Sequence, residues 1–180
     1  MFVAERVRLR RIEKADLPHY VEWLNDAEVR RGLKIFLPLS NVEEDEWFET
    51  MMKSPLLERP YAIDAKAGEG WAHIGSCALF GFDHTARQAE LGIVIGDKDY
   101  WNKGYGSDVM RLLLKVGFET LNLNRIHLWV YGNNPRARHV YEKIGFTHEG
   151  SLRQHIFREG QYYDVHMMGI LRDEWQAMNK

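Results

Sequence analysis

Cysteine is almost absent from this 180-residue chain, where Cys77 stands alone. That excludes an internal disulfide framework and fits a reducing cytoplasm. The five prolines are scattered as punctuation and build no Pro-rich linker. No apolar run approaches the roughly 18–20 residues that a membrane-spanning helix needs. Met1 to Arg11 alternates apolar and basic residues, unlike the continuous apolar stretch of a secretory leader. An excess of one charge is missing too. Lys plus Arg number 24 and Asp plus Glu 26, a formal net charge of −2, so no global attraction to nucleic acid or membrane is expected. Eight histidines occur, but none forms a His-x-x-x-His pair or a compact cluster with Cys77, so no metal site is expected. What is present is the mix of an ordinary globular protein, 45% apolar and 28% charged, long enough for one domain over 1–180 with a sizeable core.

The hydrophobic pattern changes period along the chain. Val3 to Ile12 alternates, predicting a half-buried strand with Val7 and Leu9 on one face and Arg6, Arg8 and Arg10 on the other. Lys14 to Asn25 carries Leu17, Tyr20, Val21 and Leu24 at helical spacing, with Asp16 and Pro18 suited to a first turn. Ser40 and Glu43 have capping-box spacing ahead of Trp47, Phe48, Met51 and Met52. Pro60 to Ala65 and Trp71 to Phe82 read as strands separated by Gly68 and Gly70. Ala89 to Ile95 reads as a buried strand and Gly104 to Leu121 as a helix. Arg125 to Tyr131 is a strand, Pro135 to Ile144 a helix, and Phe146 to Leu152 and Gln161 to Leu171 close the chain as strands. A short helical tail is expected from Asp173. Strand–helix–strand–helix in the centre requires a parallel crossover, while the flanking strands look hairpin-connected. The expectation is an α/β fold, a mixed sheet of about seven strands with helices on both faces.

The informative stretch runs from Ile93, Val94 and Ile95 through Trp101, Asn102 and Lys103 to Gly104, Tyr105, Gly106 and Ser107. A buried strand enters a loop with two glycines, and a helix opens directly after them. The first backbone N–H groups of a helix lack intrahelical partners, and the helix dipole adds positive charge there. Glycines admit close approach of a phosphate, so the stretch reads as an anion site suited to a pyrophosphate, or else as a tight loop that needs two glycines. Position 109 is Val, so no dinucleotide fingerprint is present, and the Gly-Lys-Ser/Thr of a Walker loop is missing.

A second motif lies one helix and one strand further on. Asn134-Pro135-Arg136-Ala137 opens a helix that ends on Tyr141, Lys143, Gly145 and Phe146. The pair resembles the GNAT superfamily of acetyl-CoA-dependent N-acetyltransferases. Trp101-x-x-Gly104-x-Gly106 matches that family's Gln/Arg-x-x-Gly-x-Gly/Ala loop, and Asn134, Ala137, Tyr141, Lys143, Gly145 and Phe146 match its second motif. Val7 to Ile12, Trp23 to Asp26, Ala89 to Gly92 and Glu149 to Met167 look like the branch that acts on ribosomal-protein N-termini and on spermidine. One departure matters: Trp101 replaces the usual Gln or Arg, so weaker or rearranged phosphate contacts are expected.

The resemblance implies a direct attack of an amine on the acetyl thioester, with no enzyme nucleophile. It implies that Ile93, Val94 and Ile95 pair with the pantetheine arm like an added strand, that Lys103, Gly104, Tyr105, Gly106 and Ser107 hold the pyrophosphate, and that Trp101 and Asn102 belong to the same cofactor-binding loop. Asn134 is expected to contact the pantetheine arm, or to cap its helix. Tyr141 falls on the family's general acid, with core packing as the alternative. Glu90 falls where a carboxylate base is often placed, with a strand-end salt bridge to Arg87 as the alternative. The implied partners are a small amine or a protein N-terminus, and further copies of the chain in a dimer or other homo-oligomer. A degenerate acetyl-CoA-binding module without turnover is the rival reading. Glu43-Glu44-Asp45-Glu46 is read as a solvated helix start, with a polyamine site as the sharper alternative. His127, alternating with Ile126 and Leu128, is read as an ordinary sheet residue, and Cys77 as a buried core thiol.

Overall fold

In the computed structural model, which describes residues 1–179, Lys180 lies outside the described residues. The chain opens with β1 (Phe2–Val3) and β2 (Val7–Arg11), separated where alternation over Val3 to Ile12 predicted one strand. Helices α1 (Leu17–Asn25), α2 (Ala27–Arg30) and α3 (Asn41–Lys53) follow. Pro18 sits in the first turn of α1. Asp26 accepts from the Glu28 and Val29 amides to start α2, a four-residue helix that periodicity alone did not reveal. At α3 the Ser40–Glu43 capping box forms as the spacing predicted.

Strands β3 (Tyr61–Ala67), β4 (Gly70–Asp83) and β5 (Gln88–Ile95) form an antiparallel meander. Then come α4 (Tyr105–Lys115), β6 (Arg125–Tyr131), α5 (Pro135–Ile144), β7 (Thr147–Arg158), β8 (Gln161–Leu171) and α6 (Arg172–Met178). The helix read over 104–121 is α4 continued by a π-helical turn, Val116–Thr120. A Cβ on Gly117 would lie 2.5 Å from Ile126 Cδ1, so this turn needs glycine to close onto β6. Strand β7 runs six residues beyond its expected end.

Eight strands make one sheet in the order β1-β2-β3-β4-β5-β6-β8-β7, one more than expected because the two-residue β1 pairs with β2. The main core packs one face of the sheet against α4 and α5, using Val7, Leu9, Ile63, Leu79, Leu91, Ile126, Leu128 and Ile170 from the strands and Val109, Met110, Leu113 and Ile144 from the helices. A smaller cluster packs Ile12 and Ala62 against Leu17, Tyr20 and Trp23 of α1, with Val94 and Trp101 joining it. Helices thus cover both faces.

One pair of neighbours is parallel, β5 with β6, and it is short: Gln88, Ala89 and Glu90 lie opposite Arg125, Ile126 and His127. Beyond Glu90 the strands part. β5 stays on β4 as far as Ile95 opposite Gly75, and β6 stays on β8 as far as Tyr131 opposite Val165. A bulge supplies the bend: Ile74 of β4 is skipped between Gly75 and His73, and its carbonyl accepts from the Gly96 and Asp97 amides. Bulges kink a strand and raise its twist. Here the end of β5 follows β4 away from β6, leaving Leu91 to Ile95 with an open edge.

Candidate active site

The open edge of β5 forms one wall of a cleft of about 390 Å³. The loop after β5 turns back across its mouth. Asp97 caps a 3-10 turn at Lys98–Tyr100 by accepting from the Asp99 amide at 2.9 Å. Lys98 Nζ ties that turn to α2 through Asp26, at 2.6 Å. Asn102 (φ +59°) and Gly104 (φ +85°) take left-handed backbone, which reverses the chain and aims the start of α4 at the cleft. The first bond of α4 runs from the Asp108 amide to the Gly104 carbonyl, so the amides of Tyr105, Gly106 and Ser107 have no intrahelical acceptor. A Cβ on Gly106 would find Ile95 Cγ1 at 4.0 Å and nothing nearer. The backbone there is open to an anion.

Trp101 does not leave the loop unanchored. Its indole Nε1 donates to the Ile95 carbonyl at 2.8 Å, and the Arg136 guanidinium lies 4.3 Å from the centre of a Trp101 ring. The side chain therefore pins the loop to the end of the β5 edge and positions a cation of α5 beside it. Arg6, more than a hundred residues earlier, holds the other side. Its Nε donates to Asp108 Oδ2 at 2.8 Å, its Nη1 to the Lys103 carbonyl at 3.2 Å, and it stacks 4.8 Å from the Tyr105 ring. Asp108 is an anion in the first turn of α4, close to those free amides, and Arg6 neutralises it.

Helix α5 supplies the opposite wall. Asn134 caps it, its Oδ1 accepting from the Ala137 amide at 3.1 Å, with Pro135 at the first helical position. The capping role is thus real, and the side-chain amide Nδ2 is left over. That Nδ2 would lie 2.6 Å from a Cβ on Gly32, so glycine lets the turn after α2 close against Asn134 without displacing its side chain. Tyr141, one turn beyond Ala137, packs at the edge of the main core and lines the cleft. Burial alone pushes its hydroxyl up to about 12, so it stays protonated at neutral pH.

Of the residues singled out in the sequence, Ile93, Val94, Ile95, Trp101, Asn102, Gly104, Tyr105, Gly106, Ser107, Asn134 and Tyr141 line this one cleft. Lys103 is exposed and contributes its carbonyl, through Arg6. Glu90 is half-buried at the fork itself, the last residue opposite β6. No salt bridge to Arg87 forms, and the Arg87 carbonyl instead accepts from the Asn124 and Arg125 amides. Burial is the main influence on two neighbours of Glu90, raising the Tyr131 hydroxyl and lowering the His127 imidazole, and the field of Glu90 adds to the first and opposes the second. Burial outweighs it at His127 and lowers that imidazole overall, keeping it neutral, and the buried His127 Nδ1 has no partner. Arg6, Gly32 and Arg136 were missed. Arg136 stood inside a motif already quoted, whereas nothing local to Arg6 marks its pairing with Asp108.

The acidic run does not converge on the cleft. Glu43 closes the cap on Ser40, Asp45 lies 3.5 Å from Lys14, and Glu44 is buried on α3, where burial raises its pKa. Cys77 is buried as expected. Among the described residues no three His, Cys, Asp or Glu side chains are grouped to hold a metal ion, and no helix is long and apolar enough to cross a membrane.

A family model described as the acetyltransferase (GNAT) domain matches residues 6–147. A spermidine N(1)-acetyltransferase of Escherichia coli K12 is 29% identical, over 98% of this chain and 92% of its own. A putative ribosomal N-acetyltransferase of Bacillus subtilis is also 29% identical, over 97% and 96%. Among solved structures, a spermidine N-acetyltransferase from Vibrio cholerae in complex with CoA and spermine superposes with a TM-score of 0.83. It is 28% identical and aligns over 94% of this chain and 98% of its own.

Proposed function

The chain belongs to the GNAT acetyltransferase family, and from that premise we propose how its cleft carries out acetyl transfer from acetyl-CoA to a primary amine. The observation that carries the reading is the fork at Glu90, where a strand edge without a partner, the free amides of α4 and Tyr141 line one cleft. The residues fit acetyl-CoA: an extended amide-bearing arm matches a free strand edge, and a pyrophosphate matches a helix N-terminus opened by glycine. When bound, acetyl-CoA supplies the thioester carbonyl that the amine attacks.

The protein's own work is positioning and proton handling. The β5 edge and Asn134 Nδ2 orient the arm, while Tyr105, Gly106 and Ser107 hold the phosphates. Glu90 accepts the proton of an acceptor amine that arrives mainly as ammonium, its pKa near 10 if lysine-like. Tyr141 Oη keeps its proton until negative charge develops on the leaving sulfur and then donates to it. No enzyme nucleophile takes part, and both substrates are held together. Acceptors of two classes, polyamine and protein N-terminal amine, are supported by the names of the relatives. The catalytically dead reading has no such support, since those relatives are named as acetyltransferases. A cytoplasmic location fits the single buried Cys77, and self-association follows the family resemblance.

Thiol release from acetyl-CoA with a panel of primary amines tests the assignment. Tyr141→Phe is expected to lower kcat by about 10²-fold or more, the usual weight of a general acid, and Glu90→Gln to lower it by a similar factor. Wild-type turnover in Tyr141→Phe removes that residue from the chemistry, and in Glu90→Gln removes the base.

A further inference from the structure

A second pocket, of about 330 Å³, lies beside the cofactor cleft, between α2 with its following loop on one side and the β7–β8 turn on the other. Arg31 lines both cavities, so α2 and the turn after it form the wall between them. The lining of this second pocket is cationic. Arg158 donates from Nη1 to the Phe157 carbonyl at 2.8 Å and from Nη2 to the Leu33 carbonyl at 3.3 Å. Arg30 donates from Nη1 to the Phe36 carbonyl at 3.2 Å. Among the described residues neither guanidinium has a carboxylate partner, and the Nε of each is buried without any partner. Only Arg31 is paired, to an exposed Glu159 at 3.2 Å. The sequence explains the imbalance, because no acidic residue occurs between Glu28 and Glu43 while Arg30, Arg31 and Lys34 do.

Arg30 is held by a backbone carbonyl, and Arg158 by backbone carbonyls and by the faces of Phe36 and Tyr131 at 5.0 and 6.0 Å, but both guanidiniums are half-buried without a counter-charge, which an anion would supply. Guanidinium is the side chain best shaped for a carboxylate, which it grips through parallel charge-assisted hydrogen bonds. The same field repels a polycation. The rim is apolar: Phe36 and Phe157 are exposed, and Phe157 packs 5.0 Å from Tyr162. Exposed aromatics around a charged floor suit a ligand with an apolar group beside its charge.

Resting on the acetyltransferase reading above, we infer that this pocket holds a carboxylate of the acceptor. The preferred acceptor is then a primary amine that carries a carboxylate and an apolar group, its amine passing Arg31 into the cleft. A free apolar amino acid and a peptide N-terminus with a nearby acidic side chain share this chemistry. The reaction balances as the ammonium gives one proton to Glu90, the neutral amine forms a bond to the acetyl carbon, the thioester C–S bond breaks with its sulfur taking the Tyr141 proton, and the second nitrogen proton, released as the amide forms, returns to Tyr141.

Matched acceptors test it. Thiol release is measured for phenylalanine against phenylalaninamide, for the peptide Ala-Asp-Phe-amide against Ala-Asn-Phe-amide, and for spermidine. The wild type is expected to favour the carboxylate member of at least one pair by tenfold or more in kcat/KM, the stronger pair naming the source, and to use spermidine less well. Arg30→Gln and Arg158→Gln are expected to bring that ratio close to one, with the acetyl-CoA-induced rise in melting temperature on each variant reporting that it is folded. Because Arg158 also fastens the loop carbonyls, Arg30→Gln carries the test if Arg158→Gln does not fold. Calorimetry with N-acetylphenylalanine and its amide, in the presence of CoA, reads the pocket without turnover, and tighter binding of the acid in wild type alone is the expected result. Equal use and equal binding of acid and amide, or a preference for spermidine, overturns the inference while leaving acetyl transfer intact. No turnover with any amine counts against the acetyltransferase assignment, and the binding arm still decides the pocket.

Discussion

Trp101 shows what a single side chain reveals and conceals. The sequence marks it as the odd residue of the loop, and the loss of a polar group there predicts rearranged phosphate contacts. Its indole instead bonds the Ile95 carbonyl and lies beside the Arg136 guanidinium. The side chain anchors the loop through the scaffold, which a motif comparison by residue type does not expose. Trp101→Phe keeps the ring and deletes the bond. With a typical net hydrogen bond near 1 kcal/mol, the Kd for acetyl-CoA should rise roughly fivefold, measured by calorimetry. Glu44 is a different case. It reads as one of four consecutive acids at a solvated helix start, yet it is buried and burial raises its pKa. The sign follows from linkage. A carboxyl whose folded pKa lies above its unfolded value gives its stabilising share below the unfolded pKa, and that share is lost as pH rises through the folded one. Glu44→Gln should therefore be more stable than wild type at neutral pH, by about 1 kcal/mol from the cost of burying a charge without a partner. The advantage should shrink as both proteins are melted at lower pH. An advantage that does not change with pH contradicts this account of Glu44.

At the scale of elements, boundaries were legible wherever local chemistry sets them. Ser40 with Glu43 starts α3, and Asn134 with Pro135 starts α5. Gly145, in left-handed backbone at φ +108°, ends α5. The two-residue β1 and four-residue α2 were not legible, because neither is long enough to show a period. The support of the phosphate loop was hidden for another reason. Arg6 immediately precedes β2 and Asp108 lies in the first turn of α4, and only the fold brings them together. Without Arg6, the Asp108 carboxylate keeps only the exposed Arg111, at 3.6 Å, and more of its charge would face the proposed pyrophosphate site. Arg6→Ala is expected to raise the KM for acetyl-CoA about tenfold, the effect of an interaction near 1.4 kcal/mol. Asp108→Asn in the same chain should restore most of the loss. A double variant no better than Arg6→Ala would assign Arg6 to loop structure alone, without the charge.

The whole molecule supplies what neither residues nor elements contain. A parallel crossover was required by the central strand–helix–strand–helix order, and β5 and β6 do run parallel. That they separate after three residue pairs depends on the Ile74 bulge two strands away in the chain, which no local pattern announces. Beneath α1, a buried network of Arg10, Asp16, Asp64 and His73 braces the same end of the sheet. Burial lowers the His73 pKa, while the bonds from Arg10 and the Glu13 amide hold the Asp16 carboxyl below its ordinary value. Both shifts act in one direction, since depressed folded pKa values give stability that is present above the unfolded pKa and lost on acidification. Melting temperature is expected to fall as pH drops below about 6.5, the unfolded histidine value, and more steeply through the carboxylate range. His73→Gln should make the first of these two slopes shallower, the lowered His127 and His166 imidazoles supplying the remainder. The central claim is that the fork and the start of α4 together form an acetyl-CoA site, and a thermal melt with acetyl-CoA, using ATP as the control, tests it most directly. A ligand at about 100 times its Kd adds roughly 2.7 kcal/mol, or about 5–10 °C for a domain of this size. The account predicts that shift with acetyl-CoA and little with ATP, whose phosphates alone cannot occupy the strand edge. No shift at saturating acetyl-CoA, or an equal shift with ATP, would contradict it.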